Sequence, residues 1–108
     1  MRTPITYAIA AEDLLWARKD GSEIQVQIRI GNPYQVGTSE WACPVELMGI
    51  DGQYLDVHGE SSLQSLCFAL NLVRTRLGHH LEDGETLLDS KDRSPWGLES
   101  LTSTFGRP

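Results

Sequence analysis

Asp56, His58 and Glu60 lie two residues apart and are the side chains best spaced for acid–base chemistry. Alternate residues of an extended strand share one face, so a carboxylate and an imidazole would stand side by side there. A small enzyme centred on Asp56 and His58 is one hypothesis that follows. The sequence has no glycine-rich phosphate loop and no activated nucleophile to accompany this pair. The pattern therefore favours solvated residues on a sheet, in a protein that is not an enzyme and needs no cofactor.

Other reactive residue types have ordinary structural explanations. The serines at 61 and 62 follow a glycine, but a nucleophile elbow needs a second glycine two residues after its serine, and this chain has leucine or glutamine there. His79 and His80 have no third ligand at a recognised spacing, which predicts solvated histidines rather than a metal site. Cys43 and Cys67 form no CxxC pair and are predicted to be free, buried thiols in a reducing compartment.

Charge is unevenly distributed along the chain. Nine basic residues stand against 15 acidic ones, a formal net charge of −6 with an isoelectric point near 4.9, which argues against binding to a nucleic-acid backbone. Between Arg29 and Arg74 there is no lysine or arginine, and this stretch has a net charge of −5. Its acidic residues are Glu40, Glu46, Asp51, Asp56 and Glu60. A localised negative field steers a basic partner; the alternative is a solvated surface that only aids solubility.

Length and composition indicate one globular domain. At 108 residues and 12.0 kDa the chain has room for one modest core. Its 40% apolar and 22% charged residues are close to globular averages, which excludes a fibrous or disordered chain. The first residues lack the apolar core of a signal peptide, and no run approaches the roughly 20 residues needed to span a bilayer. We expect a single cytoplasmic domain over residues 1–108.

Alternating residues predict an antiparallel sheet over about residues 5–58. Glu23–Ile30 alternates polar and β-branched residues, with the β-branched ones inward. A first strand ending at Trp16 is joined to it by a tight turn at Asp20-Gly21, and residues 31–39 are predicted to be a loop. A second alternating strand contains Pro44, which suggests a sheet edge or a bulge. Its inward residues are Trp41, Cys43, Val45 and Leu47.

The turn at residues 49–53 sets the register of the next hairpin. A strict two-residue turn at Asp51-Gly52 would place Leu47 opposite Asp56, which mixes core and solvent faces. We therefore predict an odd-length loop or a bulge. The expected core neighbours are Leu55 and Val57 beside Val45 and Leu47, and the expected outward residues are Tyr54, Asp56 and His58 beside Glu46.

Residues 61–77 have helical periodicity and a recognisable start. Ser61 as N-cap with Gln64 three residues later forms a capping box. Gly78 predicts the end of the helix, and residues 79–108 are expected to be an irregular extension with one short strand at 86–88. The predicted apolar stripe is Leu63, Leu66, Cys67, Leu70, Val73 and Leu77.

Several of these segments together resemble a known family. They are Ile30-Gly31-Asn32-Pro33, Trp41-Ala42-Cys43-Pro44-Val45, Gly49-Ile50-Asp51-Gly52 and the run from His58 to Leu70. This pattern, over about residues 24–77, is similar to that of small bacterial proteins with a strand meander followed by one long helix. Relatives of that kind resemble immunity proteins of contact-dependent growth inhibition and related toxin systems. The resemblance implies a toxin inhibitor; where members often have an aspartate, this chain has Ser61.

The sequence as a whole predicts an α+β domain, an antiparallel sheet of about four strands with one long helix packed on one face. The leading hypothesis is a non-enzymatic immunity or antitoxin-type protein that binds a basic toxin domain, of nuclease type, without metal, cofactor, nucleic acid or membrane. The expected contact residues are Glu40, Glu46, Asp51, Asp56 and Glu60, with Tyr54 as an aromatic anchor. The alternative is a structural or adaptor module that forms a homodimer through a sheet edge or through Trp96, Leu98 and Phe105.

Overall fold

Two antiparallel β-sheets and two α-helices make up the computed structural model of the protein, which describes residues 1–107. The strands are β1 (Ala10–Ala17), β2 (Glu23–Ile30), β3 (Tyr34–Gly37), β4 (Glu40–Cys43), β5 (Val45–Met48), β6 (Gly52–Gln53), β7 (Val57–Gly59), β8 (Thr86–Asp89) and β9 (Pro95–Trp96). The helices are α1 (Ser62–Glu82) and α2 (Leu98–Phe105). One sheet has six strands, ordered β6-β5-β2-β1-β8-β9, and the other has three, ordered β3-β4-β7. A sheet packed on a helix is confirmed, whereas the predictions of about four strands and a single helix are wrong.

The hairpin of β1 and β2 follows the sequence pattern closely. β2 spans the predicted residues, and Val26, Ile28 and Ile30 are buried as expected. The two strands pair antiparallel along their whole lengths. Gly21 in the turn has a φ of +90°, a backbone conformation that favours glycine. The pattern predicted this strand well because only one of its faces meets the core.

The chain passes from the three-stranded sheet to the six-stranded sheet at Pro44. β4 ends at Cys43 and β5 begins at Val45, and both residues are fully buried in the core shared with α1. Proline has no backbone N–H to donate to a ladder, so strand pairing is interrupted there while the alternation of faces continues. The predicted strand is therefore two strands with one inward face. Trp41 is only partly buried, and the loop predicted at 31–39 contains the edge strand β3.

The hairpin after β5 is shorter than predicted and changes partners. Leu47 pairs with Gly52, which leaves residues 48–51 as an even-length loop rather than an odd one. The chain then leaves β5, and β7 pairs with β4 of the other sheet, where Val57 lies opposite the last residue of β4. Leu55, predicted to be in the core, is 57% exposed because it lies in the connection between the two sheets. A prediction that considers only the pairing of one strand with the next in the hairpin cannot anticipate that β7 pairs with β4 instead of β5.

The start of α1 is stabilised by side-chain caps as predicted. Ser61 is the N-cap, and its hydroxyl oxygen accepts a 3.0 Å hydrogen bond from the Gln64 N–H. The Gln64 side-chain oxygen in turn accepts a 2.7 Å bond from the N–H of Glu60 rather than from that of Ser61. Both bonds satisfy backbone donors that the first turn of a helix leaves unpaired.

The end of α1 and its buried face differ from the prediction. The helix continues through Gly78 to Glu82. A Cβ added at Gly78 would lie 3.7 Å from Leu101 of α2, so this glycine is a contact between helices and not a stop signal. Leu63 and Cys67, predicted to be in the apolar stripe, are exposed because the face of the helix that meets the sheet is turned away from them. The buried face consists of Ser65, Ala69, Val73, Leu77 and His80.

The C-terminal part of the chain is regular structure rather than an irregular extension. The short strand predicted at 86–88 is present as β8, which pairs with β1, and β9 pairs with β8. α2 packs on α1 and buries Leu101, and Trp96 of β9 is buried too. Elements of two to eight residues are too short to show a clear period in the sequence. No helix within residues 1–107 is long and apolar enough to cross a membrane.

The close approach of β7 to α1 gives a stability prediction. A Cβ added at Gly59 would lie 2.6 Å from the backbone nitrogen of Ser65, which cannot move aside without disturbing the helix start. We expect Gly59→Ala to lower the free energy of unfolding by about 2 kcal/mol, measured by urea denaturation. The control is Gly37→Ala, whose Cβ would be an ordinary 3.6 Å from the Cβ of Glu40. Equal changes in the two variants would contradict this account of the contact.

Candidate functional site

Two of the six predicted contact residues lie on one face of the strand that joins the two sheets. Cys43 and Val45 point toward α1 and the core, so the residues between and beside them point away. We call this side of both sheets the outer face. Glu40 and Glu46 lie on it, as predicted. Because the alternation continues through Pro44, the outer face is continuous from one sheet to the other.

Glu40 and His58 form an exposed pair at one end of the outer face. Glu40 Oε2 and His58 Nδ1 are 3.0 Å apart, and 55% and 50% of the respective side-chain surfaces are exposed. In the pairing of β4 with β7, Trp41 lies opposite Gly59. Glu60 follows the last residue of β7 and is exposed as well. Glu40 and His58 therefore form a solvent-accessible pair, with a second exposed carboxylate one residue beyond β7.

Glu46 lies on the outer face but is largely covered. Its register partner on β2 is Arg29, whose Nη1 is 3.7 Å from Glu46 Oε1. Only 13% of the Glu46 side-chain surface is exposed. Arg29 stands just outside the acidic stretch of the sequence, and the sheet brings it back to neutralise part of that stretch.

Asp56 also lies on the outer face. The sequence predicts an exposed residue here, but Asp56 is buried, with 5% of its surface accessible. Residues 1–7, which we call the strap, pass over it. The Thr3 N–H donates a 3.0 Å hydrogen bond to Asp56 Oδ1. The Thr3 hydroxyl donates to Asp56 Oδ2, as does the Tyr34 hydroxyl at 2.5 Å. The cover comes from a segment 53 residues earlier in the chain, which the pleat argument did not consider.

The contacts of Asp56 keep its carboxyl group ionised. Burial by itself raises the pKa of Asp56, but the hydrogen bonds from Thr3 and Tyr34 outweigh burial and lower it below the ordinary value. The bond to Asp56 also raises the pKa of Tyr34. Backbone contacts add to the network, because the Asp56 N–H donates to the Met1 carbonyl at 2.7 Å and Gln53 Nε2 donates to the Thr3 carbonyl at 2.9 Å. A buried anion thus holds the strap to the sheet.

Asp51 and Tyr54 make a different contact, between the hairpin and α1. Arg76 donates hydrogen bonds of 2.6 and 3.0 Å to the Asp51 carboxylate, and the Tyr54 hydroxyl donates to it as well. The bonds from Arg76 are the main cause of the lowered pKa of Asp51, and burial raises the pKa of Tyr54. Tyr54 is partly buried against the core, so the predicted aromatic anchor is not exposed. These two residues attach the hairpin to the helix.

His80 is a buried polar residue that we had predicted to be solvated. Only 8% of its surface is exposed, and its ring meets Trp16 edge-on, with centroids 4.5 Å apart and an interplanar angle of 78°. Trp16 Nε1 donates a 2.9 Å hydrogen bond to Glu85. Among residues 1–107, His80 Nε2 has no hydrogen-bond partner. Its spacing of three residues from the buried Leu77 was the signal that could have placed it inside.

The cysteines and the proposed acid–base pair lie in separate surroundings. Cys43 is buried, and burial raises the pKa of its thiol to about 11, which makes it unreactive. Cys67 is exposed, contrary to the prediction, because it lies on the outward side of α1. In the described part of the chain no hydrogen bond joins Asp56 to His58. Within residues 1–107 no group of three histidine, cysteine, aspartate or glutamate side chains is placed to hold a metal ion.

Comparison with known proteins adds a family to this description. Residues 11–99 match the family described as a domain of unknown function, DUF6968. The chain belongs to this family. No curated protein and no solved structure matches the chain. The region shared with DUF6968 contains Glu40, Glu46, Asp56 and His58, whereas the strap that covers Asp56 precedes it.

The network around Asp56 gives a prediction for Tyr34. Tyr34→Phe removes one hydrogen bond to a buried carboxylate, a bond worth about 1.5 to 3 kcal/mol, and we expect the free energy of unfolding near pH 7 to fall by about 2 kcal/mol. The pKa of Asp56 is lowered from 3.8 in the folded state, so the carboxylate stabilises the fold above that pH. This stabilisation is lost as the pH falls through the lowered value, and the difference between wild type and Tyr34→Phe should shrink with it.

Urea denaturation near pH 7 and at about pH 3 measures both effects of Tyr34→Phe. The matched control is Tyr7→Phe, because the Tyr7 side chain is in the strap itself and the residue is 78% exposed. This control should leave the stability unchanged. Equal losses near neutral pH in the two variants would contradict a specific role for the Tyr34 hydroxyl.

The buried His80 ring gives a pH-dependence prediction. Burial lowers the pKa of His80 below 6.5, although the carboxylates of Glu85 and Asp83 act in the opposite direction. The native protein then binds a proton less readily than the unfolded chain, so stability is complete above about pH 6.5 and declines as the pH falls below it. His80→Phe keeps a ring against Trp16 and removes this titration, and we expect a flatter dependence of unfolding free energy on pH between about 7 and 5.

Unfolding curves for His80→Phe are compared with those of wild type and of His79→Phe. His79 is the exposed neighbour on the same helix, and its replacement should keep the wild-type slope. A wild-type slope in His80→Phe would show that another group causes the pH dependence.

Proposed function

We propose that the chain is a non-enzymatic immunity-type protein that binds and neutralises a basic toxin domain, of nuclease type, through its outer face. The observation that carries the proposal is the placement of Glu40, Glu46 and Asp56 on one continuous face, with Glu60 exposed directly after β7. A phosphate backbone presents a similar row of negative charges, so a nuclease domain that binds nucleic acid would have a complementary basic surface.

The exposed edge of the outer face is where such a partner would first meet the protein. Glu40 and Glu60 are solvent-accessible, and the side chain paired with Glu40 is the equally exposed His58 rather than a lysine or arginine. Exposed carboxylates of one sign raise the association rate of a basic protein, and salt weakens the effect. Glu46 and Asp56 add to the negative field from positions that are partly or fully covered.

The proposal gives the six predicted contact residues different tasks. Glu40 and Glu60 supply the contact surface, Glu46 adds to the negative field from a largely covered position, and Asp56 lies beneath the strap. Asp51 and Tyr54 hold the hairpin on α1 and contribute to the contact only by positioning β5 and β6. An immunity protein of this type would act in the cytoplasm, where Cys43 and Cys67 would stay reduced.

A second candidate function is self-assembly into a homodimer, which specific exposed residues favour. Leu63 and Phe68 on the outward side of α1 are 68% and 49% exposed, and Leu98 at the start of α2 is exposed as well. Exposed large apolar side chains are available for contact with a second copy of the chain. Of the three residues predicted for this dimer surface, Trp96 is buried and Phe105 is partly buried, whereas Leu98 is exposed.

Charge reversal at the exposed edge tests the toxin-binding proposal. The chain is used as bait in a lysate of its own strain, and the association rate of any captured basic polypeptide is then measured at low and high salt. We expect Glu40→Lys combined with Glu60→Lys to slow association at least about tenfold at low salt, because the steering field changes sign locally. Growth of cells that produce the captured polypeptide should be restored by the wild-type chain and not by the double variant.

The matched control for this experiment is Glu99→Lys, an exposed charge reversal on α2. It changes the net charge in the same direction and should leave association nearly unchanged. Unaltered kinetics in the double variant would overturn the role of the outer face. Capture of a second copy of the chain alone would overturn the toxin-binding proposal in favour of self-assembly.

A further inference from the structure

The strap occupies the middle of the outer face, between the exposed edge and Glu46. Its residues lie over Asp56, Tyr34 and Pro44, and Ile5 packs against the Gly31 and Pro44 pair, where a Cβ added at Gly31 would be 3.3 Å from Ile5 Cγ1. Removing the strap would expose the Asp56 carboxylate and join it to the other carboxylates of the face. The covered region is therefore a groove that already holds an extended peptide.

The contacts inside the groove define what kind of segment fits it. Three of these contacts use backbone groups of the strap. The Met1 carbonyl accepts from the Asp56 N–H, and the Thr3 N–H donates to the Asp56 carboxylate. The Thr3 carbonyl accepts from the Gln53 side chain. Such bonds accept any extended chain. Two side chains add specificity, because the Thr3 hydroxyl donates to Asp56 Oδ2 and the Arg2 guanidinium donates from Nε to the Gln53 carbonyl at 3.2 Å. A cationic side chain followed by a hydroxyl side chain matches this pattern.

The hydrogen bonds that the strap makes around Asp56 are concentrated at residues 1–3, and Ile5 adds apolar packing near Gly31 and Pro44. Tyr7 is 78% exposed. An open cleft of about 290 Å³ lies along the strap from Thr3 to Tyr7 and is bounded below by Tyr34 and Pro44. Closely packed segments leave few such voids. For the segment to leave the groove, the hydrogen bonds around Asp56 and the packing of Ile5 would have to be replaced.

We infer that this groove binds an extended basic segment of the partner, with a cationic residue followed by serine or threonine, and that the strap occupies the groove in the free protein. The inference rests on the proposed function, because it names the chemistry that the outer face recognises. The strap then competes with the partner within the same chain. Its effective concentration beside the groove is in the millimolar range, so it lowers the apparent affinity for any incoming segment.

A peptide with the sequence of residues 1–8 tests the groove without knowledge of the partner. In the full chain, Thr3→Pro removes both the N–H and the hydroxyl that bond to Asp56 and should release the strap. Binding of the peptide to isotope-labelled protein is followed by NMR at the Asp56 amide. We expect Thr3→Pro to bind the peptide at least about tenfold more tightly than wild type, because competition from the strap is lost.

Two controls separate the groove from a general attraction between charges. A peptide carrying Thr3→Pro keeps Arg2 and should not bind, and Asp56→Asn combined with Thr3→Pro in the protein should weaken binding of the unmodified peptide. Equal affinities of wild type and Thr3→Pro, with the strap shown to be released by fast hydrogen exchange at residues 1–7, would overturn the inference. Binding of both peptides with equal affinity would overturn it as well.

If Thr3→Pro fails to fold, Thr3→Val takes its place, because it removes the strap hydroxyl that donates to Asp56 and leaves the groove residues Asp56 and Tyr34 intact. The same direction of change is expected, and its absence in this folded variant overturns the inference. The peptide result is independent of capture from a lysate. Peptide binding with no basic partner captured would support the groove while contradicting the toxin-binding proposal, and the reverse result would contradict the groove alone.

Discussion

The arrangement of this protein depends on one strand that takes part in two sheets. Pro44 cannot donate to a ladder, so β4 and β5 separate there and find different partners. The pleat nevertheless continues through the proline, which keeps Cys43 and Val45 in one core. The Gly31 N–H donates a 2.9 Å hydrogen bond to the Pro44 carbonyl, so the junction is also attached to the end of β2. Both sheets therefore share one inner face for α1 and one outer face.

Ion pairs between strands and between the hairpin and the helix neutralise part of the negative charge of the acidic stretch. Along the chain, residues 30–73 have no lysine or arginine. In space, Arg29 faces Glu46 across a strand pair and Arg76 binds Asp51 from the helix. Pairs of this kind are weak where they are exposed, and their main effect here is to reduce the field of the carboxylates that they touch. The negative charge of this stretch that is still available to a partner lies at the start of β4 and just after the end of β7, at Glu40 and Glu60.

Covered polar groups connect the proposed function with the stability of the fold. Asp56 is ionised and buried because three donors from the strap and β3 satisfy its oxygens. A buried anion is favourable only while such donors are present, so any segment that replaces the strap must bring equivalent donors. His80 represents the opposite case, a buried ring that avoids the cost of a charge by staying neutral beside Trp16. The surroundings of Asp56 therefore require hydrogen-bond donors, whereas the surroundings of His80 disfavour a protonated ring.

The sequence by itself determined the α+β class, the residues of β2, the turn at Gly21, the Ser61 cap and the outward side of Glu40 and Glu46. Each of these depends on neighbours within a few residues, where turn geometry, capping and the pleat act directly. Only the tertiary structure decided the partner of β7, the burial of Asp56 and His80, and the cations beside Glu46 and Asp51. These features depend on contacts between segments tens of residues apart, and local periodicity contains no information about which segments meet.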